Sequence, residues 1–419
     1  MVRIMGRIKV GVIGLGNRGQ SLIQDVMLHL DNIEITAICD LYKDRVEKMK
    51  TVIENHYGHA ILGLLKADEL IKHQEVEAVI IASSWKSHIP LTIECMEAQK
   101  YVACEVGGAS NLDECFELVR VYEKTKTPCM LLENCCYGRD EMLLLNMVKQ
   151  GIFGTVIHCA GGYQHDLREE VAFGKENRHY RLNHYIHSNC DNYPTHELGP
   201  IAKLLNINRG NRLISLSSIS SKSEGLHEYI KQHKSDDQQL IHQKFNQGDI
   251  VTTSIRCQNG ETIVITLDTT LPRPYSRGLR VQGTKAMYLE DNHSIFIDGK
   301  DNIHDFTWQK QWGNVNEYYP QYEHPLWRKF LNNGVKGGHG GMDYLVLSAF
   351  FECIENHQPM PIDVYDMATL MSISVLSEQS ITQGGSVVSI PDFTHGLWQE
   401  REDEGNHEYV LSKIIDEEG

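Results

Sequence analysis

Six residues near the start of the chain, Gly14-Leu15-Gly16-Asn17-Arg18-Gly19, restrict its fold more than any other feature. They follow the apolar run Ile8–Ile13 and precede Leu22, Ile23, Val26, Met27 and Leu30, which recur at helical spacing. A G-x-G-x-x-G turn between a strand and a helix has a steric logic. The first glycine permits the tight turn, the second lets backbone approach a pyrophosphate, and the third lets the helix pack closely with its positive end toward the phosphates. Asp40 ends a second apolar run, twenty-one residues past Gly19, where a carboxylate accepts ribose hydroxyls and repels a 2′-phosphate. NAD is therefore expected rather than NADP, a preference that Lys43 and Arg45 weaken slightly.

Short apolar runs at Ile8–Ile13, Ile33–Cys39, Ala78–Ala82, Tyr101–Cys104 and Cys129–Leu132 alternate with helical patterns, predicting a doubly wound parallel sheet over residues 1–134. Asn111 and Glu114 have the spacing of a capping box. Ligands of such sheets lie outside the carboxyl ends of the strands, and those ends are polar here. The candidate cofactor residues are Gly14, Gly16, Asn17, Arg18, Gly19, Asp40, Ser83, Trp85, His88, Glu105, Val106 and Asn134.

Beyond residue 134 the runs Val156–Gly162, Leu213–Ser220, Ile250–Arg256, Thr262–Thr269, Arg280–Gln282 and Met287–Glu290 follow one another with few helices between them. That order predicts an α+β domain over 135–419 built on an open, mostly antiparallel sheet. Helices are expected at Asp140–Lys149, at Met342–Asn356, and from a cap at Asp363 to Gly384 and Gly385. Residues 228–249 read as a polar surface excursion, and 306–327, with Trp308, Trp312, Tyr318, Tyr319, Tyr322 and Trp327, as aromatic core or subunit contact ahead of a sugar-stacking surface. The acidic runs Glu400–Glu404 and Asp416–Glu418 read as solvated ends.

Forty basic against fifty-six acidic residues give a net charge of −16, which disfavours nucleic acid and anionic membranes as partners. No apolar run approaches the ~18 residues of a membrane span. Eleven scattered cysteines with no C-x-x-C, and a start that enters the first strand directly, predict reduced thiols and a cytoplasmic protein. The cluster His179, His184, His187, Cys190 and His196 lacks H-E-x-x-H or thiolate spacing, so no metal is expected. No G-x-S-x-G supports a serine nucleophile.

The segments GLGNRG, LLENCCYGRDEMLLLNMVKQGIFG, GGYQHDLR, HYRLNHY, NYPTHELGP, INRGNRL and TLPRPYSRG resemble the glucose–fructose oxidoreductase, inositol dehydrogenase and rhizopine catabolism superfamily. Within it they are similar to glycoside hydrolase family 109, the NAD-dependent α-N-acetylgalactosaminidases. Two departures separate the chain from the superfamily's dehydrogenases: no lysine follows Glu105, where the run is Val106-Gly107-Gly108, and His196 is followed by Glu197-Leu198-Gly199 without their aspartate. The family also commonly has proline where Gly107-Gly108 stands.

The resemblance implies hydrolysis of an α-linked N-acetylgalactosamine or related glycoside through transient oxidation at carbon 3. That oxidation makes the carbon 2 hydrogen acidic and permits elimination, water addition and return of the hydride. NAD-dependent glycosidases are exceptions to the paired-carboxylate rule. The resemblance further implies Tyr163 as base or substrate contact at carbon 2, with His165 as its partner, and His196 as acceptor of the hydroxyl proton. Substrate contacts are implied at Glu133, Arg181, Tyr193, Thr195 and Tyr275, and a homo-oligomer is expected. A tyrosine with a pKa of ~10 needs a cationic neighbour to ionise near neutrality, and Arg181 and His196 are the candidates. A sugar or inositol dehydrogenase, or a non-catalytic NAD-binding protein, are the alternative readings.

Overall fold

A computed structural model describes residues 6–307, 309–401 and 405–415. The chain divides into two compact units, Met1–Met142 with His324–Ala368 and Glu402–Gly419, and Leu143–Glu323 with Thr369–Arg401.

The first unit is built on a six-stranded parallel sheet. Its strands are β1 (Ile8–Ile13), β2 (Ile33–Cys39), β3 (Leu62–Leu64), β4 (Ala78–Ile81), β5 (Tyr101–Cys104) and β6 (Cys129–Leu131), in the order β3-β2-β1-β4-β5-β6. β1, β4, β5 and β6 are buried almost throughout, because helices cover both faces of a parallel sheet. The carboxyl ends of β1, β2, β4, β5 and β6 therefore share one edge. The Leu112–Thr125 helix starts as its sequence predicts: Asn111 Oδ1 accepts from Glu114 N at 2.9 Å, while Glu114 reaches back to Ser110 N at 3.1 Å.

The second unit holds an eight-stranded sheet of β7 (Val156–Gln164), β8 (Leu213–Ser220), β9 (Ile250–Cys257), β10 (Thr262–Asp268), β11 (Arg280–Gly283), β12 (Ala286–Leu289), β13 (Ser294–Ile297) and β14 (Val388–Ser389). The order is β13-β12-β11-β7-β10-β9-β8-β14, with β7 and β10 parallel and the other pairs antiparallel. A Rossmann sheet and a separate, mostly antiparallel sheet thus match the expected fold class. Leu267 pairs with Tyr163 in the β7–β10 register.

Several expectations need correction. The sequence places one break at 134/135, whereas residues 324–368 fold back into the first unit. The physical reason is the Met342–Glu355 helix, apolar nearly all round, which packs on the helical turns Leu22–Val26 and Asn134–Tyr137. Residues 228–249 are more than a polar excursion. They contain most of the helix Gly225–His233 and all of Gln238–Ile241, and Leu226, Ile230, Leu240 and Phe245 pack into one core cluster with Tyr163 and Tyr185. Strands β3, β13 and β14 add to those the sequence predicts; at two to four residues each they are too short to show a period. Of the aromatic stretch, Tyr318, Tyr322 and Trp327 are buried and Trp312 is half exposed. Trp308, residues 402–404 and residues 416–418 lie outside the described residues. All eleven cysteines are buried free thiols. Among the described residues no helix is long and apolar enough to cross a membrane.

Candidate functional site

In the first unit the glycine turn has the shape of a nucleotide cradle, and each glycine meets a different steric demand. Gly14 has φ +98°, and a Cβ there would lie 2.5 Å from the Ala82 carbonyl. A Cβ at Gly19 would lie 2.0 Å from the Gly14 oxygen, so only glycine lets the helix pack back onto the turn. Gly16 differs: its φ of −68° suits any residue, and the one group near its Cβ position is the Arg45 guanidinium at 3.8 Å. Open space above one glycine, between two sterically compelled ones and at a helix start, is the opening that a pyrophosphate approaching backbone requires. The residues present therefore fit NAD. Asn17 is exposed at the first helical position.

Asp40 is buried at the end of β2, where its Oδ2 accepts from Leu15 N at 2.7 Å and its Oδ1 from Tyr42 N at 2.9 Å. It braces the turn, and each oxygen keeps a lone pair for a ribose hydroxyl. Arg45 stands 3.7 Å from Oδ2. After β4, Ser83 and Ser87 hydroxyls meet at 2.7 Å, and Trp85 is buried against Gly107. Gly107, at φ +154°, would place a Cβ 2.3 Å from the indole Cδ1, which accounts for glycine at that departure from the family pattern. His88 bonds the Ser83 carbonyl through Nε2 at 3.0 Å. Burial pulls its pKa down to about 4, against the raising effect of hydrogen bonds to the Ser83 and Glu105 backbone, so it is neutral at pH 7.

Arg18, read as a cofactor residue, is committed to protein carboxylates. Its Nε donates to Glu105 at 2.8 Å, and Nη1 and Nη2 donate to the two oxygens of Asp343 at 2.7 and 2.8 Å. Asn134 Nδ2 donates to the same Asp343 at 2.7 Å, and His339 Nδ1 lies 2.7 Å from it. Burial would raise the Asp343 carboxyl, but hydrogen bonds from His339 and Arg18 outweigh it and hold the group far below the usual carboxylate range. The same bond raises His339. Sequence reasoning missed Asp343 and His339. The glycine-dense run Gly337-Gly338-His339-Gly340-Gly341 was the available signal, with Gly341 at φ +99° and a Cβ position 2.4 Å from the Phe330 ring. Glu133 is fully buried and accepts from Cys135 N at 3.1 Å, and Val106 is buried beside Glu105.

In the second unit four aromatic side chains converge on Tyr163. Its hydroxyl lies 3.0 Å from His165 Nδ1, and its ring is 4.3 Å from Tyr193, 5.4 Å from His196 and 6.4 Å from Tyr275. His165 and Tyr275 meet edge-on at 5.2 Å, and Tyr193 and His196 at 4.8 Å. Arg181 is buried over the Tyr193 ring at 5.4 Å and donates to Glu170 at 2.7 Å. Thr195 is fully buried in the first turn of the Thr195–Leu204 helix, while Tyr275 is half exposed. The substrate-domain candidates are thus gathered in one cluster.

The glycines before Tyr163 answer to close neighbours. A Cβ at Gly161 would meet Glu197 Cγ at 1.9 Å, and one at Gly162 the Thr266 carbonyl at 1.9 Å. The expected ionisation of Tyr163 needs revision. Burial raises its pKa, and Arg181 offsets only part of that, helped by a hydrogen bond and opposed by Glu170. His165 moves down, through burial and the Arg181 charge, and is neutral at pH 7. A protonated phenol beside a neutral imidazole can pass a proton in either direction. Glu170, Glu197 and Arg277 were missed; the last two form an ion pair at 3.3 Å.

Two family models match the chain: an oxidoreductase family with an NAD-binding Rossmann fold over residues 8–132, and the glycosyl hydrolase 109 C-terminal domain over residues 137–400. The chain is 39% identical to a glycosyl hydrolase family 109 protein of Parabacteroides distasonis, covering 95% of this chain and 89% of that one. It is also 39% identical to an alpha-N-acetylgalactosaminidase of Tannerella forsythia, covering 95% and 88%. Among solved structures, an NAD-binding oxidoreductase from Klebsiella pneumoniae shares the fold at a TM-score of 0.66 and 14% identity, covering 92% of this chain and 99% of that one. Matches to both domains and along almost the whole length lead to one conclusion: this chain belongs to glycoside hydrolase family 109, a glycosidase whose cofactor is NAD.

Proposed function

We propose that the enzyme hydrolyses α-linked N-acetylgalactosamine by transient oxidation at carbon 3 of the sugar. The observation that carries this reading is the Tyr163–His165 contact of 3.0 Å inside a cluster of tyrosines and histidines beside buried Arg181. The substrate class is supported by the 39% identical relative whose name is alpha-N-acetylgalactosaminidase.

NAD, when bound, supplies a reversible hydride acceptor, which makes the carbon 2 hydrogen acidic for part of the cycle. The Tyr163–His165 pair takes that proton, with neutral His165 as the base and the phenol as the hydrogen-bonding group that relays it. As the carbon 2 electrons form a double bond to carbon 1, the glycosidic carbon–oxygen bond breaks and its electron pair leaves with the aglycone oxygen, which takes a proton from solvent water. Water then adds at carbon 1 and releases its second proton to solvent, while the pair returns a proton to carbon 2. Arg181, held by Glu170, keeps a positive charge beside the rings where negative charge develops. His196 receives the carbon 3 hydroxyl proton as that carbon is oxidised and gives it back when the ketone is reduced again at the end of the cycle.

Hydrolysis of nitrophenyl α-N-acetylgalactosaminide in deuterated water tests this reading. Deuterium is expected at carbon 2 of the released sugar, with no net NADH. Cleavage without exchange overturns the mechanism, and steady NADH formation from free sugars would make the enzyme a dehydrogenase.

A further inference from the structure

The geometry points to the buried ion pair of Glu197 and Arg277 as a positioning device that fixes two segments of the Tyr163 cluster, those carrying His196 and Tyr275, relative to each other. Within the aromatic cluster His196 and Tyr275 both reach Tyr163, yet they come from different segments. His196 sits in the first turn of the Thr195–Leu204 helix, and Tyr275 on the connection between β10 and β11. Glu197 is the next residue after His196, and Arg277 is two beyond Tyr275. Arg277 Nε lies 3.3 Å from Glu197 Oε2, with the side chains 13% and 0% exposed, so the attraction is little screened.

Two further features show that local structure is arranged around this contact. Gly161, two residues before Tyr163 on β7, is obligatory because the Glu197 side chain lies where a Cβ would stand, 1.9 Å from Cγ. The Glu197 side chain thus lies against β7, the strand that carries Tyr163. On the other side, Glu290 accepts from Arg277 N at 3.3 Å and Leu279 N at 2.7 Å, which pins the backbone from which the Arg277 side chain reaches Glu197. A buried ion pair is no better for stability than a packed apolar pair of similar volume, so keeping one here makes sense as orientation.

The inference rests on the glycosidase reading only for its kinetic consequence. The test uses NAD-loaded enzyme, wild type and three variants: Arg277→Met, Arg277→Lys, and the double variant Glu197→Gln/Arg277→Met. The single Met variant takes the Arg277 charge away from a buried carboxylate and can fail to fold; the double variant removes both charges and is expected to recover the melting temperature. Histidine-labelled NMR without substrate is the first readout, since His165 lies edge-on to Tyr275 and His196 edge-on to Tyr193, where ring currents report small movements. Displaced His165 and His196 resonances are expected in the folded double variant, with Arg277→Lys close to wild type. In kinetics the double variant should show KM for nitrophenyl α-N-acetylgalactosaminide raised roughly tenfold with a smaller change in kcat, within the coupling usual for one charge network. Unshifted resonances or a wild-type KM in the folded double variant overturn the proposal. A wild-type enzyme that cleaves no glycoside would sink the glycosidase reading instead, while the resonances still decide the role of the pair.

Discussion

Replacing Gly16 by alanine separates a glycine kept for the cofactor from one kept for the fold. Its φ of −68° and ψ of −174° are allowed for alanine, and the new methyl would have only the Arg45 guanidinium within 4 Å, at 3.8 Å. Without NAD the variant should therefore be as stable as wild type or better by about 0.4–1 kcal/mol, because alanine restricts the unfolded chain. The methyl nevertheless occupies the space through which a pyrophosphate approaches backbone N–H groups. Losing one or two of those contacts should weaken NAD binding by about 10- to 100-fold, or about 1.4–2.7 kcal/mol. Gly19→Ala is the control: its Cβ would stand 2.0 Å from the Gly14 oxygen, a backbone atom, so apo stability itself should fall. Calorimetric titration gives the affinity, and thermal melts with and without NAD give the stability, since ligand stabilisation follows RT ln(1 + [L]/Kd). Gly16→Ala with wild-type affinity, or with a lowered apo melting temperature, would refute the assignment of the open glycine to the cofactor.

Tyr163→Phe removes the hydroxyl 3.0 Å from His165 and should cost about 10²- to 10⁴-fold in turnover while NAD affinity stays within twofold, as calorimetry and nitrophenol release can show. Burial pulls His88 down to about 4 in the folded protein against 6.5 unfolded, so the folded state favours its neutral form. Its contribution is complete above pH 6.5 and lost as pH falls toward 4, worth about 3 kcal/mol; urea unfolding across that range should be less steep in His88→Gln, with the residual slope from His324, buried and lowered in the same way. Asp191 goes the other way. Burial, partly opposed by hydrogen bonds from Tyr193 N–H and Thr253, raises it to about 7, so its contribution is present below pH 3.8 and lost as pH rises to 7. Asp191→Asn should therefore gain stability relative to wild type between pH 5 and 8, and an equal loss at both pH values would contradict this.

The parts of the site that were legible in the sequence are those set by local sterics. A turn that must place Gly14 at φ +98° and seat Gly19 against its oxygen leaves a fixed spacing in the chain, and Asp40 follows because the next parallel strand ends beside it. Tyr163 is a harder case, since a tyrosine on a strand is ordinary. What sets it apart is the pair of glycines before it, which are explained only when Glu197 and Thr266 are seen pressing on β7. Charge pairing is not legible in this way. Arg18 reads as a cofactor residue because it stands in the glycine turn, and its guanidinium goes to Asp343, 325 residues away, and to Glu105. With fifty-six acidic residues available, nothing in the local pattern selects those two. The Arg277–Glu197 pair, eighty residues apart, leaves no local signal for the same reason.

This division has a functional side. The residues proposed to meet the ligands sit on turns and strand ends whose geometry short-range sterics can dictate. The ionic contacts that hold those elements in place are long-range and can be exchanged for other pairs. A homologue that keeps the glycine turn and Tyr163 but changes Asp343 or Glu197 should therefore keep the cofactor class while losing catalytic efficiency, unless a second substitution restores the partner charge.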